Sequence, residues 1–257
     1  MKLAFLGAGN MAEAILRGLP DGHEIVAADP SAERREVFEL LGATVCEELS
    51  SFVEDADVLV LATKPQVAPT VVPSLAGVGD ALVVSIMAGV TSATIERWLG
   101  GERRVVRVMP NTPVLIGKGM CGMAPGTHAT ADDLETTRML FDASAEVVQV
   151  EPNQMDAVTA VSGSGPAYLF YLAEHMMSAA EDVGLARADA EALVRRTLLG
   201  AAEMLAAGDD PAVLRQRVTS PAGTTAAAID AFDAADTPAI IRRAVTAARD
   251  RGRELSA

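Results

Sequence analysis

Lys2-Leu3-Ala4-Phe5-Leu6-Gly7-Ala8-Gly9-Asn10-Met11-Ala12 is the stretch that decides the fold. A short apolar run ends at two glycines, and a helical pattern starts at once. Gly7 permits a tight turn, and Gly9 lets a backbone approach a pyrophosphate. Ala12 fills the third position of a G-x-G-x-x-A turn, where a small residue lets the helix pack on the strand. Gly7, Ala8, Gly9, Asn10 and Met11 thereby offer backbone N–H groups and the positive end of a helix dipole to the phosphates of a dinucleotide.

The pattern continues outward. Residues 24–28 form a second apolar strand, and 31–41 a helix with Ser31 at its start, Glu33 in its first turn and Gly42 just past its end. Further apolar runs at 58–62, 81–86 and 105–109 predict three more strands, and weaker ones follow at 120–123 and 146–150. Strands that are apolar throughout, separated by helices, mean a parallel sheet covered on both faces. The expectation is an α/β chain whose N-terminal part is a doubly wound, Rossmann-type sheet. After Glu151-Pro152-Asn153 no strand pattern remains, and Ala, Leu, Met, Glu and Arg dominate at helical spacing, as in Leu193, Val194, Thr197, Leu198, Ala201 and Leu205. The predicted division is 1–152 for dinucleotide binding and 153–257 for an all-helical domain. Helices this rich in alanine bury little area alone, so a second subunit is the expected cover.

Asp29 closes the second strand, 22 residues after Gly7. A carboxylate there hydrogen-bonds the adenine-ribose 2′-OH of NAD and repels the 2′-phosphate of NADP. Arg34 and Arg35 stand close enough in sequence to hold that phosphate, so NADH is favoured and NADPH stays open. An Asx turn before Pro30 also explains Asp29. Thr63-Lys64-Pro65, Ala88-Gly89 and Met109-Pro110-Asn111-Thr112-Pro113 follow three successive strands, at the edge where ligands bind in such sheets. Ser162-Gly163-Ser164-Gly165-Pro166-Ala167 interrupts a helical pattern, as a hinge or as a close approach of backbone to a ligand or partner helix. Thr219-Ser220-Pro221-Ala222-Gly223-Thr224-Thr225 is a loop running into a helix, with hydroxyls and N–H groups suited to a carboxylate or to simple capping.

Composition removes other classes. The net charge is −14 and the pI about 4.6, with no basic face for nucleic acid. Lys2, Lys64 and Lys118 are the only lysines, a balance that fits either life at high salt or ordinary acidic drift. Cys46 and Cys121 form no C-x-x-C and read as free thiols of a reducing cytoplasm. No signal-peptide pattern appears, and the most apolar stretch, 81–90, is too short to span a bilayer. His23, His128 and His175 make no metal-ligand spacing, so no metal is expected. Neither a G-x-S-x-G elbow nor a phosphate-binding lysine loop is present.

Together these segments resemble the pyrroline-5-carboxylate reductase family, in its order and along nearly the whole chain: GAGNMA, Lys64-Pro65, Ala88-Gly89, RVMPNTP at 107–113, VSGSGPAY at 161–168 and SPAGTT at 220–225. The resemblance implies reduction of 1-pyrroline-5-carboxylate to L-proline by hydride transfer from NAD(P)H. It also implies a homodimer through the helical domain, built in some members into a larger ring. It places Thr225 beside the imine nitrogen as the catalytic residue. Ser220, Gly223 and Thr224 then hold the substrate carboxylate. Ala62, Thr63, Lys64, Pro65 and Ala88, with Asn111 at the same edge, line the nicotinamide side.

The chain departs from the family pattern at four places. Ala222 stands where glycine is usual, which disfavours a positive φ in the loop. Thr63 replaces a common valine, Leu49 stands where some members have a ribose-binding asparagine, and Asp29 is absent from many NADPH users. The rival readings are a related dehydrogenase or imine reductase for another small acid, and a nucleotide-sensing protein without turnover. β-Hydroxyacid dehydrogenases of this architecture carry a lysine early in the inter-domain helix, and residues 153–183 contain none.

Overall fold

The computed structural model describes residues 1–48 and 53–256, so Leu49 lies outside the described residues. Strands β1 Lys2–Leu6, β2 Glu24–Ala28, β3 Thr44–Cys46, β4 Val58–Leu61, β5 Leu82–Ser85, β6 Val105–Pro110, β7 Gly119–Pro125 and β8 Ala145–Gln149 form one sheet in the order β3-β2-β1-β4-β5-β6-β7-β8. β3 through β6 are parallel, β7 is antiparallel to β6, and β8 is parallel to β7. The reversal at β7 has a length cause. The chain between Pro110 and Gly119 is too short for a crossover, which needs a dozen or more residues.

The pleat explains why β1 to β6 are apolar at nearly every inner position, with Ser85 and Arg107 as buried polar exceptions. Leu3, Phe5, Val58, Val60, Val84 and Val106 face one core, under helices α1 (Asn10–Gly18) and α2 (Ala32–Leu40). Ala4, Leu59, Leu61, Val83 and Val105 face the other, under α3 (Ala68–Val71) and α4 (Ser92–Leu99). Side chains that alternate between two dry layers leave few polar positions. α2 starts and stops as expected: Ser31 Oγ accepts from the Arg34 N–H, and Gly42 turns the chain at φ +87°.

α5 (Ala131–Met139) joins β7 to β8, after which α6 (Met155–Val158) and a widened π turn over Thr159–Gly163 lead out of the sheet. Composition changes near residue 152, whereas packing ends the first compact unit later, at Ser164, and returns the segment from Ala248 to it. The second unit, Gly165–Ala247, holds α7 (Gly165–Asp182), α8 (Arg187–Ala206), α9 (Pro211–Arg217), α10 (Thr224–Ala234) and the first part of α11 (Thr237–Ser256). Within it, among the described residues, only Met177, Ala190 and Val194 are buried hydrophobics, while Phe170, Tyr171, Phe232 and Ile241 stand more than half exposed. Among the described residues no helix is long and apolar enough to cross a membrane.

Candidate active site

The glycine turn lies where strand order reverses, between β1 and its neighbours β2 and β4. Gly7 has φ +102°, and a Cβ there would stand 2.7 Å from the Ala62 carbonyl oxygen. Positive φ and close approach to the end of β4 both require glycine. Gly9 is different. Its φ is an ordinary −69°, and a Cβ on it would meet nothing within 4 Å. It caps α1 without a side-chain hydrogen bond, so no capping side chain occupies the first-turn N–H groups of α1, and Gly9 adds no bulk beside them. Ala8 and Ala12 are fully buried and hold the turn to the sheet. A cradle with this opening fits a dinucleotide pyrophosphate.

Two side chains grip the Ala8 peptide from behind. Asp29 Oδ2 accepts from the Ala8 N–H at 2.8 Å, and Arg34 Nε donates to the Ala8 carbonyl at 2.6 Å. Asp29 Oδ1 accepts from the Ser31 N–H at 2.9 Å, which is the Asx turn. Each Asp29 oxygen keeps a second lone pair for an incoming hydroxyl. Arg34 Nη2 also pairs with Glu13 at 2.7 Å, and that hydrogen bond holds the Glu13 carboxyl below its usual range. Arg35 Nη1 donates to the carbonyls of Asp29 and Pro30. The sequence offers Arg34 only as a phosphate ligand. Its work on the turn depends on Glu13 in another helix, and no local pattern reveals that.

Ala62, Thr63, Lys64 and Pro65 follow β4, Ala88 follows β5 and Asn111 follows β6, so all six stand at the C-terminal edge of three adjacent strands. Lys64 and Ala88 are exposed, and Thr63 Oγ1 contacts Met87 Sδ at 3.4 Å. Asn111 Oδ1 accepts from the Met120 N–H at 2.9 Å, and its Nδ2 donates to Ser162 Oγ at 3.4 Å.

In the second unit, Ser220, Ala222 and Gly223 form the turn into α10, which starts at Thr224. Ala222 has φ +56°, so the turn keeps a left-handed residue despite the methyl group. A Cβ on Gly223 would overlap Ser220 Oγ, so the serine hydroxyl lies over the cap position. Gly223 caps α10 without a side-chain hydrogen bond. This leaves first-turn N–H groups, Thr224 and Thr225 together at one helix start. Among the described residues no group of three or more His, Cys, Asp or Glu side chains could hold a metal.

Residues 152–255 match the family described as pyrroline-5-carboxylate reductase dimerisation, and residues 2–89 match NADP oxidoreductase, coenzyme F420-dependent. The pyrroline-5-carboxylate reductase of Pseudomonas aeruginosa is 43% identical over 99% of this chain and 97% of its own. This chain belongs to the pyrroline-5-carboxylate reductase family.

The Arabidopsis thaliana reductase is 38% identical over 99% of this chain and 95% of its own. The solved pyrroline-5-carboxylate reductase of Coxiella burnetii superposes with a TM-score of 0.91 at 36% identity, over 99% of this chain and 98% of that one. The Plasmodium falciparum enzyme, solved with NADP bound, superposes at 0.88 and 26% identity, over 100% and 98%. The chain is therefore an NAD(P)H-dependent oxidoreductase of proline biosynthesis, with a C-terminal dimerisation region.

Proposed function

We propose that this protein reduces 1-pyrroline-5-carboxylate to L-proline as a homodimer. The region 1–152 holds the cofactor, and 153–257 supplies the substrate loop and the dimer contact. The observation that carries the reading is the pairing, on one chain, of the open Gly9 cradle with the 220–225 loop at the start of α10.

The nicotinamide, when bound, supplies the hydride for the imine carbon. The chain's own residues bind, orient and exclude water. Gly7, Ala8, Gly9, Asn10 and Met11 seat the pyrophosphate. Ala62, Thr63, Lys64, Pro65, Ala88 and Asn111 form the wall of the nicotinamide side. Ser220, Gly223 and Thr224 hold the substrate carboxylate at the positive end of α10. Thr225 orients the imine nitrogen through its hydroxyl. A threonine hydroxyl is too weak an acid to deliver a proton outright, so its part is alignment.

NADH is the proposed preference. The Asp29 carboxylate disfavours a 2′-phosphate, Arg34 is engaged with the Ala8 carbonyl and Glu13, and Arg35 with two backbone carbonyls. Assembly of dimers into a ring and residence in the cytoplasm are part of the same reading. The test is oxidation of NADH and of NADPH, followed by absorbance, on adding 1-pyrroline-5-carboxylate or a six-membered cyclic imine acid. Turnover with the five-membered imine and a higher kcat/KM for NADH are expected. No oxidation with either cofactor would remove the reductase reading, and a strong NADPH preference would remove the cofactor choice alone.

A further inference from the structure

The S-G-S-G segment is not absorbed by the roles above, and the structure gives it a seat. Residues 155–163 pack on β6 and β7. A Cβ on Gly122 of β7 would run into Val158 of α6, and one on Gly163 would stand 2.7 Å from Met109 Cε. Between those two points the helix widens into the π turn Thr159–Gly163, a distortion that recurs at functional sites. Ser162 sits in this turn and accepts the hydrogen bond from Asn111.

The direction of the Asn111 amide is determined by its partners. Only an oxygen can accept from the Met120 N–H, so Oδ1 faces β7 and Nδ2 faces Ser162. Both ends of the carboxamide are thus tied, one to β7 and one to the π turn. The 110–113 turn follows β6, at the edge shared with Thr63, Lys64 and Ala88. With Ser162 removed, Asn111 keeps one tie, and the turn gains freedom where alignment matters most.

We propose that Ser162, acting through Asn111, is a positioning residue for the reduction, a role that presupposes the hydride transfer proposed for this chain. Hydride transfer requires the donor and acceptor carbons to be aligned within roughly 3–3.5 Å, so small displacements at this edge lower the rate more than they weaken binding.

The test uses the full-length enzyme with Ser162→Ala and Ser162→Thr. Steady-state kinetics, the primary isotope effect with 4-deuterated NADH and the unfolding midpoint are measured for each. In Ser162→Ala, kcat is expected to fall roughly tenfold, with KM for NADH within about twofold of the parent. The isotope effect should grow as hydride transfer becomes rate-limiting, and the unfolding midpoint should stay near the parent's. Ser162→Thr keeps the acceptor and should restore kcat and the isotope effect. Parent-like kcat and isotope effect in Ser162→Ala would overturn the role, as would an equal loss in Ser162→Thr. A parent enzyme that oxidises no NADH removes the reductase reading and this role with it. An active parent with an unaffected Ser162→Ala removes the role alone.

Discussion

Thr225 carries the sharpest expectation at the scale of single residues. Thr225→Ala should lower kcat by roughly 10²-fold, the range of positioned proton-transfer groups, with the fold intact by circular dichroism. Parent-like turnover would reject its role. Ala222 is set against its own backbone at φ +56°. A left-handed alanine costs about 1–2 kcal/mol, and the greater freedom of glycine in the unfolded chain offsets part of the relief on replacing it. Ala222→Gly should therefore stabilise by up to about 1 kcal/mol in urea unfolding. Cys121 is fully buried, and burial pushes its thiol up from 9.0 to about 12. The unfolded thiol ionises first, so stability from this group is intact below pH 9 and drains away between pH 9 and about 12. Cys121→Ala should flatten that part of the stability–pH curve, and an unchanged slope would refute the assignment. The residues readable from sequence were those with a local rule, such as Gly7, Gly9 and Ser31. Arg34 was half-read, because its partners Ala8 and Glu13 come from a different element. Ala222 departs from the family pattern, yet the loop holds its left-handed turn regardless.

Gly7 belongs to the scale of elements, because its missing Cβ lets β1 turn into α1 against the end of β4. Gly7→Ala would bring a methyl 2.7 Å from the Ala62 carbonyl at a φ of +102°. Backbone cannot yield as a side-chain tip can. The variant should lose NADH binding, read by fluorescence titration, and several kcal/mol of stability, at or above the about 1–3 kcal/mol typical of one strained residue. Near-parent affinity would show that the turn relaxes. Strands buried on both faces were legible because apolar runs bounded by turns leave little choice. β3 was missed because Thr44–Cys46 is three residues long at the sheet edge, too short for any period to register. β7 runs against the parallel sheet that the sequence predicts, because periodicity carries no sign. The length of the 111–118 connection was the available cue. The π turn left only the trace of two glycines and a proline inside a helical pattern.

The whole molecule shows two different balances of burial. The sheet unit has two dry layers, whereas the helical unit leaves Phe170, Tyr171, Phe232 and Ile241 in contact with solvent. At about 25 cal/mol per Å² of apolar area, covering such a face with a second copy is strongly favourable. The unfolding midpoint should therefore rise with protein concentration, by mass action. A concentration-independent midpoint would argue for an isolated monomer. The apolar helical spacing in sequence showed that a face exists, and the exposure shows that this unit does not cover it alone.

The path of the chain has a consequence for how the protein is made. The segment from Ala248 rejoins the unit that began at Met1, with Gly89 against Leu255 and Gly252 against Asp156. On the ribosome the sheet emerges first, but a segment that packs on its unit is made only after the intervening helices. The cofactor unit can start to collapse early and cannot close until residues 248–255 have followed the helices. A nascent chain stalled before residue 248 is accordingly an enzyme-to-be with an open flank, and protease should distinguish it from the released protein.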